Sequence, residues 1–262
     1  MSEPGPDRTP YQRFAAVYDR IGHDSFSIEM VEYCARIFKV FRIRPCNALD
    51  LCCGTGSAIG RLLDYGFTMS GLDGSSEMLA IAAQKLNGKG VRLYHKQLPK
   101  FRLIDTDDST VTRSFGLITC FYDSLNYLRN LTELKTAFKA VHAHLEPGGW
   151  FIFDMNTPVA LETIWDGQVW GDTTDDLAWV WKNEYFAKAK SAICHTTFFV
   201  RDGDIWRRFD EDHFEKAYDN KTLRRAVKES GFQVKGFFDC FTFDRATKAS
   251  DRVCVVARKP LR

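Results

Sequence analysis

The stretch ALDLCCGTGSAIGRLLDYGFTMSGLDGSSEM, Ala48 to Met78, decides the fold. It reads as an apolar strand, a glycine turn, a helix, a second apolar strand and a terminal acid. Ala48 to Cys52 is apolar apart from Asp50, the pattern of a parallel strand buried on both faces. Gly54 and Gly56 then turn the chain and, lacking Cβ atoms, let the backbone approach a ligand closely. A helix starting near Ser57 points its free N–H groups into the same space. Met69 to Leu72 forms the next strand and Asp73 ends it, where a carboxylate in a βαβ unit accepts both hydroxyls of a ribose. The segment predicts nucleoside binding. A dinucleotide site would carry G-x-G-x-x-G, the third glycine allowing close helix packing. Here Ala58 and Ile59 follow Ser57, and Gly60 comes one place late.

Strands and helices continue to alternate on either side. Val91 to Tyr94 reads as a third strand, Phe115 to Cys120 as a fourth, Leu131 to Leu145 as a helix, and Trp150 to Asp154 as a fifth strand. That alternation predicts an α/β fold, a Rossmann-like, doubly wound, mostly parallel sheet. Beyond Pro158 the texture changes. Leu177 to Ala187, Ser191 to Arg201 and Asp204 to Glu215 are aromatic-rich runs, with Asp202-Gly203 a hairpin signal, so a small antiparallel β insert is expected. Asn220 to Ser230 is a helix stopped by Gly231, and Gln233 to Cys240 pairs with Val253 to Arg258 as an antiparallel C-terminal strand pair. At the other end Glu3 to Pro10 is expected to be a mobile arm, and Tyr11 to Phe41 has helical spacing. The predicted organisation is an N-terminal helical arm or lid over 1–44 and one domain over 45–262, with 159–216 as a substrate-side insert.

Composition is consistent with this and excludes some classes. The chain has 262 residues, 45% of them apolar, and a net charge of +2, ordinary for a globular protein. No basic run alternates with aromatics as in a nucleic-acid track, so no nucleic-acid partner is expected. No apolar run is long enough to span a bilayer, and MSEPGPDRTP lacks the apolar core of a signal peptide, so the default is a cytoplasmic protein without a membrane partner. The eight cysteines show no zinc-ligand spacing, and no metal is expected. Oligomeric state cannot be read from the sequence.

LDLCCGTGS resembles the first motif of the class I S-adenosylmethionine-dependent methyltransferases, and GLDGSSEML resembles the second. Further likenesses lie in order at Phe14 to Asp19 (FAAVYD), Ile118 to Leu128 (ITCFYDSLNYL) and Leu145 to Pro158 (LEPGGWFIFDMNTP), and point to the branch acting on small molecules. The resemblance implies S-adenosylmethionine as cofactor. It places Asp50, Cys53, Gly54 and Gly56 around the methionine part, Asp73 on the ribose, and Gly74 and Met78 near ribose and adenine. The family's acid for the adenine amino group is replaced by Gln97 and Leu98; Gln97 still offers a carbonyl acceptor. Cys120 and Phe121 would flank the cofactor, and Tyr11 and Tyr18 would close over it.

Methyl transfer is an in-line displacement, so holding the nucleophile on the sulfur–carbon axis contributes much of the rate. An oxygen nucleophile or a protonated amine also needs a proton acceptor. Candidates are Tyr122 and Asp123 after the fourth strand, and His213 in the insert; Asp123 could instead cap the next turn. Strand alternation puts Glu211 and His213 on one face and Asp212 on the other. Trp179 and Trp181 also share a face, as pocket wall or as packing. The expected activity is methyl transfer to a small-molecule acceptor, an amine first, then a hydroxyl or carboxylate. The alternatives are an NAD(P)-dependent oxidoreductase, from the same glycine turn and Asp73, and a catalytically silent nucleoside-binding module.

Overall fold

The computed structural model describes residues 9–104 and 113–261. Most of the expected N-terminal arm lies outside them. Strands β1 (Asn47–Leu51), β2 (Thr68–Asp73), β3 (Arg92–His95), β4 (Phe115–Cys120) and β5 (Leu145–Asn156) are parallel, and β10 (Gln233–Asp239) and β11 (Arg252–Arg258) complete a seven-stranded sheet of order β10-β11-β5-β4-β1-β2-β3. Only β11 runs against its neighbours. The sheet reverses direction of winding between β1 and β4, where open α/β sheets bind ligands at the strands' carboxyl ends.

Period-two alternation gives each strand two apolar faces. Leu49, Ile118, Phe151, Phe153 and Val255 pack beneath α5 (Leu131–His144) and α7 (Asn220–Glu229). Their neighbours Ala48, Leu117, Ile152 and Val256 pack against α2 (Ser25–Phe41) and α3 (Ser57–Asp64), and Leu79 and Ala82 of α4 (Ser76–Lys85) join that side. Tyr33, Cys34 and Ile37 of α2 are fully buried there, so α2 belongs to the main core. The expected lid over 1–44 shrinks to the segment before it, which contains α1 (Ala15–Tyr18) and a 3-10 turn at Asp19–Ile21. Gly22, at φ +73°, ends that segment.

A short helix α6 (Pro158–Ala160), capped by Thr157, and one π turn lead into the insert. There β6 (Val169–Thr173), β7 (Leu177–Phe186), β8 (Ser191–Asp202) and β9 (Ile205–Lys216) form an antiparallel sheet in sequential order. The β8–β9 turn falls at Asp202-Gly203 as expected, with Gly203 at φ +63°. Strand β6 was not expected: VWGDT is a short, mostly exposed edge containing a glycine and an acid, so it lacks an apolar alternation. Phe14 and Val17 of the lid pack on Leu177, Phe198 and Phe209 of the insert, so lid and insert share a small core of their own. No helix among the described residues is long and apolar enough to cross a membrane.

Candidate active site

The glycine turn and the end of β2 form the floor of a cavity of about 1220 Å³. Gly54, at φ +53°, has open space where a Cβ would stand, and its N–H donates to Asp73 Oδ2 at 2.8 Å. Asp73 Oδ1 accepts from Ser75 N–H at 2.8 Å. The carboxylate as a whole has about four acceptor positions, more than these N–H groups fill. Burial pushes the Asp73 pKa up from its ordinary value, and the N–H groups of Ser75, Gly54 and Gly74 oppose this. Of the expected cofactor residues, Tyr11, Tyr18, Cys53, Gly74, Met78, Gln97, Leu98 and Phe121 line the same cavity together with Gly54 and Asp73.

Three expected cofactor residues are not in its lining. Gly56 is required for packing: at φ +80°, a Cβ there would lie 2.7 Å from Leu86 Cδ1 and 3.3 Å from Ala82 Cβ, where α4 closes on α3. Cys120 is wholly buried on β4, next to Cys52; the hydrogen bond with Cys52 and burial both raise its thiol pKa. Cys52, at φ +54°, is the cysteine that joins Cys53 in the cavity wall. Asp50 is buried between β1 and β4, accepting from Thr119 Oγ1 at 2.6 Å.

Burial pushes the Asp50 pKa up to about 7, Thr119 opposing and Asp73 adding to the shift. The folded chain then keeps a proton that the unfolded chain, with a carboxyl pKa near 3.9, has already released. Stability therefore falls as pH rises between these two values, by up to about 4 kcal/mol. His23, lowered to about 4 chiefly by burial, acts in the opposite direction over its own range. It does so equally in an Asp50→Asn variant, so the difference between the two proteins isolates Asp50. Urea melts across this range should show the variant gaining on the wild type as pH rises, and parallel profiles would remove the buried proton.

The lid is fastened at both ends. Glu211 of β9, 1% exposed, accepts three backbone N–H groups of the lid: Tyr11 at 2.7 Å on Oε2, and Arg13 and Phe14 at 2.8 and 2.9 Å on Oε1. Ser75 Oγ donates to the Tyr11 carbonyl at 2.7 Å. At the other end Thr55 Oγ1 donates to Asp19 at 2.7 Å, Ser57 Oγ donates to Asp24 at 2.7 Å, and Lys85 Nζ pairs with Asp19 at 2.7 Å. The glycine turn is thereby tied to the segment that covers it.

Beneath the insert lies a second cavity of about 190 Å³. Tyr11, Tyr18, Tyr122 and Tyr127 line both cavities, so the phenol rings form the wall between them. Tyr11 Oη lies 2.7 Å from Tyr127 Oη, which lies 2.8 Å from His213 Nδ1. A second pair joins Tyr122 Oη to His23 Nδ1 at 2.9 Å, and His23 stacks on Trp181 with centroids 4.5 Å apart. Burial, before any neighbour, pushes the pKa of Tyr11, Tyr18, Tyr122 and Tyr127 above the usual phenol value. All four remain protonated and neutral near neutral pH.

Tyr122 and Asp123 occupy successive left-handed conformations, φ 57° and 48°, which cost energy for non-glycine residues. Asp154 holds the turn by accepting their N–H groups at 2.7 and 3.1 Å. Buried Arg252 pairs with Asp123 at 2.6 Å and with Asp154. Asp123 makes no capping bond, and its Oδ1 is engaged by the Arg252 guanidinium. Asp123, expected as a catalytic candidate, lines the small cavity with its carboxylate in this ion pair. Glu215, buried beside Asp123, is pushed well up by burial and by that neighbour, and accepts from Asn156 Nδ2 at 2.8 Å. Glu211 and His213 share the buried face of β9 as expected, while Asp212 lines the large cavity and contacts His195 at 2.6 Å.

The sequence did not single out His23, Tyr127, Glu215 or Arg252 as site residues. They come from separate elements, and nothing in their local patterns marks them. Trp181 and Asn183 of β7 also line the small cavity, which places Trp181 in the pocket wall.

Residues 48–149 match the family model described as a methyltransferase domain. The chain is 30% identical over 249 residues to a putative methyltransferase of Bacillus subtilis, YqeM, covering 95% of this chain and 97% of that protein. A solved S-adenosylmethionine-dependent methyltransferase from Clostridium acetobutylicum superposes with a TM-score of 0.80 at 28% identity, over 95% of this chain and 99% of that one. A dTDP-3-amino-3,6-dideoxy-alpha-D-glucopyranose N,N-dimethyltransferase of Streptomyces fradiae is 33% identical over 129 residues, 46% of this chain and 47% of that protein. The chain belongs to the class I S-adenosylmethionine-dependent methyltransferases. It is a methyltransferase, and S-adenosylmethionine is its cofactor. The oxidoreductase alternative finds no support among these relatives.

Proposed function

We propose that the protein moves the methyl group of S-adenosylmethionine to the nitrogen of a small-molecule amine, with the cofactor in the large cavity and the acceptor in the small one. The observation that carries this reading is the wall of four neutral tyrosines shared by the two cavities. A methyl group crossing there passes between aromatic faces and hydroxyls that bear no competing negative charge.

The residues of the large cavity fit the cofactor. Asp73 would hold the ribose hydroxyls on its remaining lone pairs, Gly54 and Cys53 would lie against the methionine part, and Met78, Gln97 and Leu98 would enclose the adenine. Tyr11 and Tyr18 would cover it, with Gly74 and Phe121 at its sides. When bound, S-adenosylmethionine supplies an electrophilic methyl group on a sulfonium.

The small cavity favours an amine over a carboxylate. Its one guanidinium, Arg252, is already paired with two carboxylates, and the acids beside it are Asp123, held in that pair, and Glu215, pushed towards its neutral form by burial. Tryptophan and tyrosine faces attract a cation, whereas a carboxylate would find no uncommitted cation among the described lining residues. An ammonium must lose a proton before or as it attacks, and His213 stands on the cavity wall to accept it. Tyr127 fixes the imidazole through Nδ1, and Nε2 makes no hydrogen bond but stands 3.5 Å from Glu211 Oε2. Nitrogen is also the acceptor atom printed in the name of the Streptomyces fradiae relative.

Calorimetry with S-adenosylmethionine and S-adenosylhomocysteine, followed by transfer of labelled methyl groups to a panel of amines, alcohols and carboxylic acids, tests the reading. Product from carboxylic acids alone would overturn the choice of nitrogen. Asp73→Ala is expected to weaken cofactor binding by roughly 1–3 kcal/mol, the loss typical of a charged hydrogen-bond partner. Unchanged affinity would refute the ribose role.

A further inference from the structure

The small cavity contains polar atoms that a bare amine would leave unused. Trp181 Nε1 and Asn183 Oδ1 are buried without a hydrogen-bond partner among the described residues. Both residues line the cavity. They stand two places apart on β7 and so on one face of the strand. Indole nitrogen only donates, and amide oxygen only accepts. The amide is oriented as well, because Asn183 Nδ2 donates to the Gln168 carbonyl at 3.2 Å. Asn183 is 2% exposed, so its orphaned oxygen is shielded from bulk water. Leaving a buried polar atom unpaired is costly, and a hydroxyl is the ligand group able to serve both kinds of atom, accepting from an indole N–H and donating to an amide oxygen.

We propose that Trp181 and Asn183 read a hydroxyl group of the acceptor, whose chemical class is a compact ring-bearing amino alcohol without phosphate. This rests on the placement of the acceptor in the small cavity made above. The volume of about 190 Å³ is of the size of one substituted ring. Trp165, Trp170 and Phe14 supply flat apolar faces for its C–H edges. The one cation in the described lining, Arg252, is held by Asp123 and Asp154, which leaves none for a phosphate. A site built to hydrogen-bond a ligand hydroxyl discriminates strongly against the analogue that lacks it, because its own polar atoms are then stranded.

The test is calorimetry on the protein saturated with S-adenosylhomocysteine, using trans-2-aminocyclohexanol, cyclohexylamine and cyclohexanecarboxylate as probes. The amino alcohol is expected to bind at least about tenfold more tightly than cyclohexylamine, and the carboxylate least of all. Trp181→Phe removes the N–H while keeping a ring against His23. It should cut the amino alcohol's affinity at least about tenfold more than that of cyclohexylamine. Retained S-adenosylhomocysteine binding certifies the variant's fold. Equal affinities for the two amines, equal losses in the variant, or no binding of either amine would overturn the inference. Failure of the wild type to bind S-adenosylhomocysteine would instead strike the placement of the cofactor.

Discussion

Glu211→Ala is expected to weaken S-adenosylmethionine binding by about 10- to 100-fold without unfolding the main domain. The carboxylate accepts the N–H groups of Tyr11, Arg13 and Phe14. Hydrogen bonds to a charged acceptor contribute about 1.5–3 kcal/mol each, although the lid amides recover part of this from water once the lid lifts. Loss of about 3 kcal/mol from lid docking lowers the closed fraction, and apparent affinity falls in proportion to that fraction. Tyr11, Gln12 and Tyr18 of this segment line the large cavity, so they leave with it. The loss should appear mainly as faster dissociation of S-adenosylhomocysteine in stopped-flow fluorescence, and hydrogen exchange should rise at residues 11–14. The bonds of Asp19 and Asp24 with Thr55, Ser57 and Lys85 remain, so the base of the lid stays anchored. Affinity within about threefold of wild type would mean that the lid is held by its apolar contacts with the insert.

His213→Phe is expected to lower turnover by about 10²- to 10⁴-fold, the range of a lost general base. Cofactor affinity should change little, because His213 lines the small cavity and is absent from the lining of the large one. Phenylalanine preserves the ring contacts with Tyr11, Phe14 and Tyr127, whose centroids lie 4.9, 5.7 and 6.1 Å from the imidazole. What it removes is the hydrogen bond to Tyr127 and the Nε2 that stands 3.5 Å from Glu211 Oε2. A fall in kcat with a steady cofactor Kd therefore separates proton transfer from packing. If turnover survives, the proton leaves by another group. His23, neutral because burial lowers its pKa to about 4, is then the next to replace.

Local sequence determined the main sheet and the cofactor floor. A buried parallel strand has a nearly continuous apolar pattern, a βα turn needs glycine where φ is positive, and a helix start follows its cap, so each signal sits within a few residues of the element it builds. This is why Ala48 to Asp73, the order of helices and parallel strands and the Asp202-Gly203 hairpin were legible, although β5 begins five residues before the expected Trp150. Whether a motif residue faces the ligand was less so. Gly56 and Asp50 lie in the same motif as Gly54, yet one serves helix packing and the other bonds across to β4. Cys120 shares a strand end with Phe121 but not its cavity.

The tertiary structure alone decided the small cavity. Its wall joins Tyr11 and His23 from the lid, Tyr122 and Tyr127 after β4, Trp181 and Asn183 from β7, His213 and Glu215 from β9, and Arg252 from β11. Side chains so far apart in the chain meet only after the insert has folded over the carboxyl ends of the parallel strands, and the lid has docked on Glu211. Residue spacing encodes which face of its own strand or helix a side chain occupies. The neighbour that face will meet is set by long-range packing.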